Sequence, residues 1–393
     1  MSTMDTCINN NNTDQDLISE VKTSKSLTSI ESKWRRILLE SSGILGLDKE
    51  STIDNLPPWI DSVKLKRSQL ICFKYYNHIT FSSGTGLMMI LQLPLGTIPL
   101  CQTGRSANIS NMFSRYLDTG LHVKKWYQHD LLDKESEGFK SLNAVRTMYS
   151  NLVEKMKEIP VPDQENNRKV VWVSQYNMML TQWAFVGLFM MFPQECGLSG
   201  RKLKNPDKLR RIMEAVNYTW RVIGFLSGIR EEYNMCQEDY RETIKLCQLI
   251  LKDTFIPVFQ RKDNRIENPG YRMGVDVFYS MKYVVPAVTP KNGEVFLYYW
   301  YKIFGIQDPQ VLPRLNNQDK RQLWVLSFSL KHLADVKYVR TLLHKQNNQR
   351  EMWAKKNRIV IKDKLYQQHP ETRYPTDCFN QCLLKHHLVP DAV

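Results

Sequence analysis

What the 393-residue chain lacks narrows its chemistry first. Its eight cysteines (Cys7, Cys72, Cys101, Cys196, Cys236, Cys247, Cys378 and Cys382) form no Cys-x-x-Cys pair. Free thiols in a reducing compartment are therefore the expectation. The N-terminus, MSTMDTCINNNNTDQD, has no basic segment leading into an apolar one, so secretion is not expected. There is no Gly-rich phosphate loop, because GTG (84–86) and the lone Gly104 lack its spacing. His-Glu-x-x-His and Gly-x-Ser-x-Gly are missing, as are the Asp-x-x-x-Asp faces that bind metal for prenyl diphosphate chemistry. Zinc-finger spacing, aromatic-glycine RNA-binding strands and Arg/Gly tracts are missing too, so no nucleic-acid partner is expected. Regular strand alternation, βαβ spacing and internal repeats are likewise not found.

The composition is that of a globular protein, with 42% hydrophobic and 24% charged residues. A chain of this length buries enough apolar surface to fold without disulfides or a structural metal. Net charge is +14, and residues 301–393 carry 16 Lys/Arg against 8 Asp/Glu, or +8 of that excess. The excess suits solvated basic helix faces or an anionic membrane surface.

Residues 1–27 are rich in Asn, Ser, Thr and Asp and read as a disordered segment. A capping box, Thr28 with Glu31, predicts a helix with the face Ile30, Trp34, Ile37 and Leu38. Pro57-Pro58 predicts a second helix around Trp59, Val63 and Leu70. The most apolar stretch (84–101) is interrupted by Pro94 and Pro99; it reads as a buried core helix, with a membrane-inserted segment as the alternative. Amphipathic helices follow at 111–127 and 136–156, the latter with a stripe of Leu142, Val145, Met148, Tyr149, Leu152 and Met156. A core helix is predicted over 171–191, and Asn205-Pro206 caps the next. Further periods run through 240–251, 275–283, 295–304 and 321–343. The expected fold is all-α, one domain of many helices over 28–345, with a basic C-terminal extension over 346–393.

Two polar constellations stand out. Cys378, Cys382 and His386 have i, i+4, i+8 spacing, with His387 adjacent, a face able to bind a soft metal if helical. Arg115 and Thr119 are i, i+4 on an apolar helix, with His122 beyond them. That face can hold an anion beside a hydroxyl, or Arg115 can pair structurally with Asp118 or a neighbouring helix. Tyr149 sits on a core stripe, and Arg146, three residues before it, is turned off that stripe on the same helix.

Four blocks in order carry a resemblance. They are TGRS (103–106) with RYLDTGLHVKKWY (115–127), KSLNAVRTMYS (140–150), SQYNMMLTQWAFVG (174–187) and WRVIGFLSGI (220–229). From about Ser82 to Leu251 the chain resembles the mpaB-type oxygenase and rubber-oxygenase catalytic-domain family. The resemblance implies a globin-like helical core around haem b and O₂-dependent cleavage of isoprenoid double bonds to carbonyl products. It places Arg115 and Thr119 in the haem pocket. The family's axial His ends Val-Arg-x-x-His, and that position here is Tyr149. A distal lysine of the latex-clearing branch falls at Asp118. The resemblance thus implies Arg115, Thr119 and Asp118 as catalytic residues. It implies Tyr149, Arg146, Arg115, Thr119 and His122 around the haem, with Tyr149 on the iron. Tyrosinate holds haem iron in catalases.

Both iron-facing positions depart from the family pattern, so two outcomes stand. Either haem is kept and the protein is an oxidoreductase acting on a hydrophobic, isoprenoid or lipid, substrate; or the axial ligand is lost and the fold persists as a non-catalytic hydrophobe-binding module. A basic helical scaffold accounts for the charge but for none of the blocks. The expected location is cytoplasmic, peripheral to the endoplasmic reticulum membrane, with basic residues such as Lys355, Lys356, Arg358, Lys362 and Lys364 on an anionic surface.

Overall fold

The computed structural model describes residues 24–159, 170–199, 205–260, 269–285, 290, 292–306, 314–371 and 374. These residues are all-α, with no strand and one isolated bridge between Leu45 and Ser174. In chain order the helices are α1 (Ser24–Glu40), α2 (Ser62–Lys74), α3 (Tyr76–Ile90), α4 (Pro94–Gln102), α5 (Ile109–Gln128), α6 (Glu137–Lys157), α7 (Gln175–Met191) and α8 (Pro206–Leu226). There follow α9 (Tyr240–Ile250), which runs through a π turn (Leu251–Phe255) into α10 (Ile256–Gln260), then α11 (Pro269–Ser280) and α12 (Gly293–Ile303). The last are α13 (Asn317–Phe328), ending in a second π turn (Ser329–Leu333), α14 (Lys337–Lys356) and α15 (Arg358–Gln368). Cys7, Cys378, Cys382, His386 and His387 lie outside the described residues.

The centre of the fold is α3 packed along α7. Most residues of both are buried, and α7 is apolar on nearly every side, the pattern of a helix buried all round. Ser83 Oγ donates to Phe185 O at 2.6 Å across this contact. At Gly86 a Cβ would lie 2.0 Å from Ala184 O, so the two backbones come close together here. The apolar stretch 84–101 is not one helix: α3 and α4 meet at 89°. Pro94 starts the second helix at its first turn, where a missing N–H costs nothing. Inside α4, Pro99 leaves the Leu95 carbonyl without its helical donor, and Asn177 Nδ2 of α7 supplies one at 2.7 Å. No single described helix is long and apolar enough to cross a membrane; the bent α3–α4 pair passes that test only together, and its residues are mostly buried.

Several predicted elements hold. Ile30, Trp34, Ile37 and Leu38 form the buried face of α1, although the helix begins at Ser24, one turn before Thr28. Asn205 caps α8 by accepting from Lys208 N, and Leu209, Ile212, Met213, Val216, Trp220 and Ile223 are buried as their spacing requires. Ser174 and Asn177 form a capping box on α7.

Others are corrected. Asp61 caps α2, leaving Trp59 ahead of it, and the predicted face turns outward, with Val63 and Leu70 both exposed. Leu65 and Cys72 face inward instead. They share the i, i+7 spacing of Val63 and Leu70, so periodicity alone does not choose between the faces. Gln69 helps to decide: its amide donates to Trp126 O and His129 O, closing the end of α5. The predicted helix over 321–343 is two helices. Asp335 sits in the break, its buried carboxylate accepting from Ser199 N at 3.0 Å and Arg340 at 2.8 Å. Residues 337–356 are continuous helix across 345/346, and α15 packs on α5 through Ile361, Leu365, Phe113 and Leu117.

Candidate functional site

Helix α5 begins at Asn108, whose side chain accepts from Asn111 N. Its apolar stripe, Phe113, Tyr116 and Leu117, is buried, which fixes the direction of the polar residues between. Residues 118–122 are all half-buried, forming a strip of α5 that reaches solvent. Helix α6 lies beside it and brings Tyr149 near Arg115.

Arg115 is half-buried, and its side-chain partners are neutral. Nη1 donates to Thr103 Oγ1 at 3.3 Å and to Ser106 Oγ at 3.2 Å, both from the turn between α4 and α5. Among the described residues no carboxylate pairs with it. Burial lowers its pKa from the ordinary arginine value, opposed by Tyr116 and Tyr149 and reinforced by Arg105. A guanidinium without a counter-ion, cradled by hydroxyls, is arranged to meet an anion.

The structural pairing of Arg115 with Asp118 does not occur. Asp118 binds Arg358 of α15 through both guanidinium amines, Nη1 to Oδ2 at 3.2 Å, with Arg105 Nη2 3.8 Å from the same Oδ2. The Asp118 carboxylate is therefore held in an ion pair. Thr119 Oγ1 donates to Arg115 O at 3.0 Å, leaving its lone pairs as acceptors. His122 Nδ1 is 2.7 Å from Ser141 Oγ; burial lowers its pKa and favours the neutral ring, opposed by Asp118. Tyr149 is half-buried against the core, and its hydroxyl has no hydrogen-bond partner among the described residues.

Arg146 is placed elsewhere. Nη1 donates to Ser51 O at 2.7 Å and Leu226 O at 3.1 Å, and Nη2 to Asp48 O at 2.6 Å. It clamps the loop after α1 to the end of α8, and does not join the Arg115 cluster. Arg146→Met is expected to lower stability by about 2–4 kcal/mol, because three carbonyls lose a charged donor. Urea unfolding would read this as a lower midpoint at unchanged slope.

The sequence grouped Arg115, Thr119, Asp118, His122, Tyr149 and Arg146; all lie on α5 and α6, and Arg146 is turned to the loop after α1. It did not identify Ser106 and Thr103 as the cradle, although TGRS marked the segment. It placed Arg358 on a membrane-facing basic surface, whereas Arg358 pairs with Asp118, 240 residues away.

A concavity of ≈ 390 Å³ lies elsewhere, lined by Tyr271, Val275, Asp276, Glu294 and Arg314 among others. Arg314 donates to Glu294 at 2.9 Å and to Tyr271 Oη at 2.7 Å, and Tyr271 donates to Glu294 at 2.8 Å. These groups satisfy one another, as in a structural network. Among the described residues no group of three or more His, Cys, Asp or Glu is placed to hold a metal ion.

No protein-family model, no curated protein and no solved structure matches the chain.

Proposed function

We propose that the chain is a haem-dependent oxidoreductase of oxygenase type, acting on a hydrophobic, isoprenoid or lipid, substrate. Arg115, Thr119 and His122 of α5 and Tyr149 of α6 would hold haem b, in a globin-like helical setting. The observation that carries this reading is Arg115, a half-buried cation whose side-chain partners are two hydroxyls. The donor set fits the group at two points. Arg115 matches the carboxylate edge of a haem, and the Tyr149 hydroxyl, without a hydrogen-bond partner, matches an oxygen ligand for iron. When bound, haem would supply the one-electron and O₂ chemistry. The chain's own residues would orient it: Arg115 by a charge-assisted bond, Thr119 by its free lone pairs, and His122 as a neutral neighbour. Asp118 would act on the cofactor only through its ion pair with Arg358, and Arg146 only by holding the fold behind α6.

A second reading is a non-catalytic hydrophobe-binding relative. It is favoured by the same Asp118–Arg358 pair, which puts an ion-paired carboxylate where the resemblance would have a lysine.

Protein purified from cells supplied with a haem precursor separates the two. The expected result is a Soret band that Tyr149→Phe abolishes and Tyr149→His keeps with a shifted spectrum. A colourless, folded wild-type protein would sink the haem reading and leave the hydrophobe-binding one. An unchanged spectrum in Tyr149→Phe would move the iron ligand to His122.

A further inference from the structure

Helix α13 turns an unusual set of side chains outward. Trp324, Val325 and Phe328 are 65%, 43% and 43% exposed. Their i, i+1, i+4 spacing puts them on one stripe. The Trp324 and Phe328 rings stack at 5.4 Å, and Phe328 packs on His332 at 4.9 Å. Lys320 and Arg321 are exposed one turn before this stack, and Lys331 follows it. The stripe is thus an aromatic centre with cations at both ends.

Acidic residues are withheld from the same surface. Between residues 320 and 362 the chain has only Asp335 and Glu351. Both are buried: Asp335 pairs with Arg340 at 2.8 Å, and Glu351 with Lys124 at 2.5 Å. The outward surface over these residues therefore carries no carboxylate. Helix α14 repeats the combination, with Tyr338 and Leu342 exposed beside Lys345, and Met352 and Trp353 beside Lys356.

Exposed rings cost free energy in water, and like charges beside them repel one another. An anionic bilayer surface relieves both costs at once. Tryptophan settles at headgroup depth, while Lys and Arg meet lipid phosphates and carboxylates. A second copy of the same face relieves only the first, because it brings cations against cations.

We propose that the outward face of α13 is the surface by which this protein rests on an anionic membrane. The contact is peripheral, with the rings shallow and the helix lying in the interface plane. Nothing in this face depends on what the α5–α6 site binds.

The experiment floats the full chain with vesicles of phosphatidylcholine alone and of phosphatidylcholine with phosphatidylserine. The expected result is binding to the anionic vesicles, weak binding to the neutral ones, and release by high salt. Lys320→Glu with Arg321→Glu is expected to lower the partition coefficient about thirtyfold, at about fivefold for each lost cation. Trp324→Ser with Phe328→Ser is expected to lower it about tenfold or more, also at low salt. Lys208→Glu with Arg211→Glu, exposed on α8, is the control and leaves it nearly unchanged. All six positions are exposed, and circular dichroism verifies that the variants fold. No binding to anionic vesicles, or binding that neither α13 pair alters, overturns the proposal. A dimer that the Trp324 pair dissolves, with no vesicle binding, gives the face to a second copy and overturns it equally.

Discussion

Gly86→Ala is expected to destabilise the protein by about 3 kcal/mol or more, at the upper end of the overpacking range. The added methyl would lie 2.0 Å from Ala184 O and 2.8 Å from its carbonyl carbon. Both atoms are backbone, inside a helix whose own hydrogen bonds resist displacement. Relief therefore requires α3 and α7 to separate. These two helices form the centre of the fold, so the neighbouring contacts loosen with them, including Ser83 Oγ to Phe185 O. Intrinsic propensity acts in the opposite direction, since alanine is better than glycine in a helix by about 1 kcal/mol. Gly84 on the same helix isolates that effect, because a Cβ there meets nothing within 4 Å. Gly84→Ala is accordingly expected to be neutral or stabilising by up to about 1 kcal/mol. Urea unfolding of the two variants side by side checks this. Equal midpoints would mean that α3 and α7 do not approach as closely as described.

Some of the fold was legible because a local signal and the tertiary packing agree. Asn205-Pro206 begins α8 because an Asn side chain and a proline ring suit a helix start wherever it occurs, and the apolar spacing after it has only one face. The 84–101 stretch was legible as core, but its 89° turn was not. Hydrophobicity records burial and carries no direction, and the Asn177 side chain that satisfies Leu95 O lies 82 residues away. The inward face of α2 failed for a related reason. Leu65/Cys72 and Val63/Leu70 have equal spacing, and Gln69 is buried because it reaches two carbonyls at the end of α5. The candidate site shows the same division. The i, i+4 relation of Arg115 and Thr119 is a property of one helix and could be read. The ion pair of Asp118 with Arg358 and the clamp of Arg146 on three carbonyls are long-range. Backbone carbonyls, besides, leave no mark on residue identity. The outward rings of α13 were hidden by the opposite error, since an aromatic residue on a helical period reads as core until burial is known.

Arg115→Met is expected to leave the stability of the ligand-free chain within about 1 kcal/mol of wild type while removing most of the haem that the proposed site would hold. The two effects separate because the cradle is neutral. In the folded chain Arg115 makes two bonds to hydroxyls at 3.2–3.3 Å, each worth about 1 kcal/mol net. Thr103 Oγ1 keeps its own bond to Leu100 O at 2.7 Å without the arginine. Against this modest loss, removal of a desolvated charge that lacks a carboxylate partner is a gain, and methionine fills much of the same space. An anionic ligand is affected differently. It loses a charge-assisted bond of about 1.5–3 kcal/mol, which corresponds to about 10- to 150-fold in affinity. Arg115→Lys keeps the charge but not the planar fork, so an intermediate loss is expected. Asp118→Asn is the contrasting variant. It leaves Arg358 and Arg105 without their shared carboxylate, so its main effect falls on the docking of α15 and hence on stability. Denaturant unfolding together with haem titration of the three variants distinguishes the roles. If Arg115→Met unfolds several kcal/mol more easily and retains full haem content, Arg115 is a structural residue and the site lies elsewhere. If stability holds while haem is lost, the uncompensated charge on α5 is present for a ligand rather than for the fold.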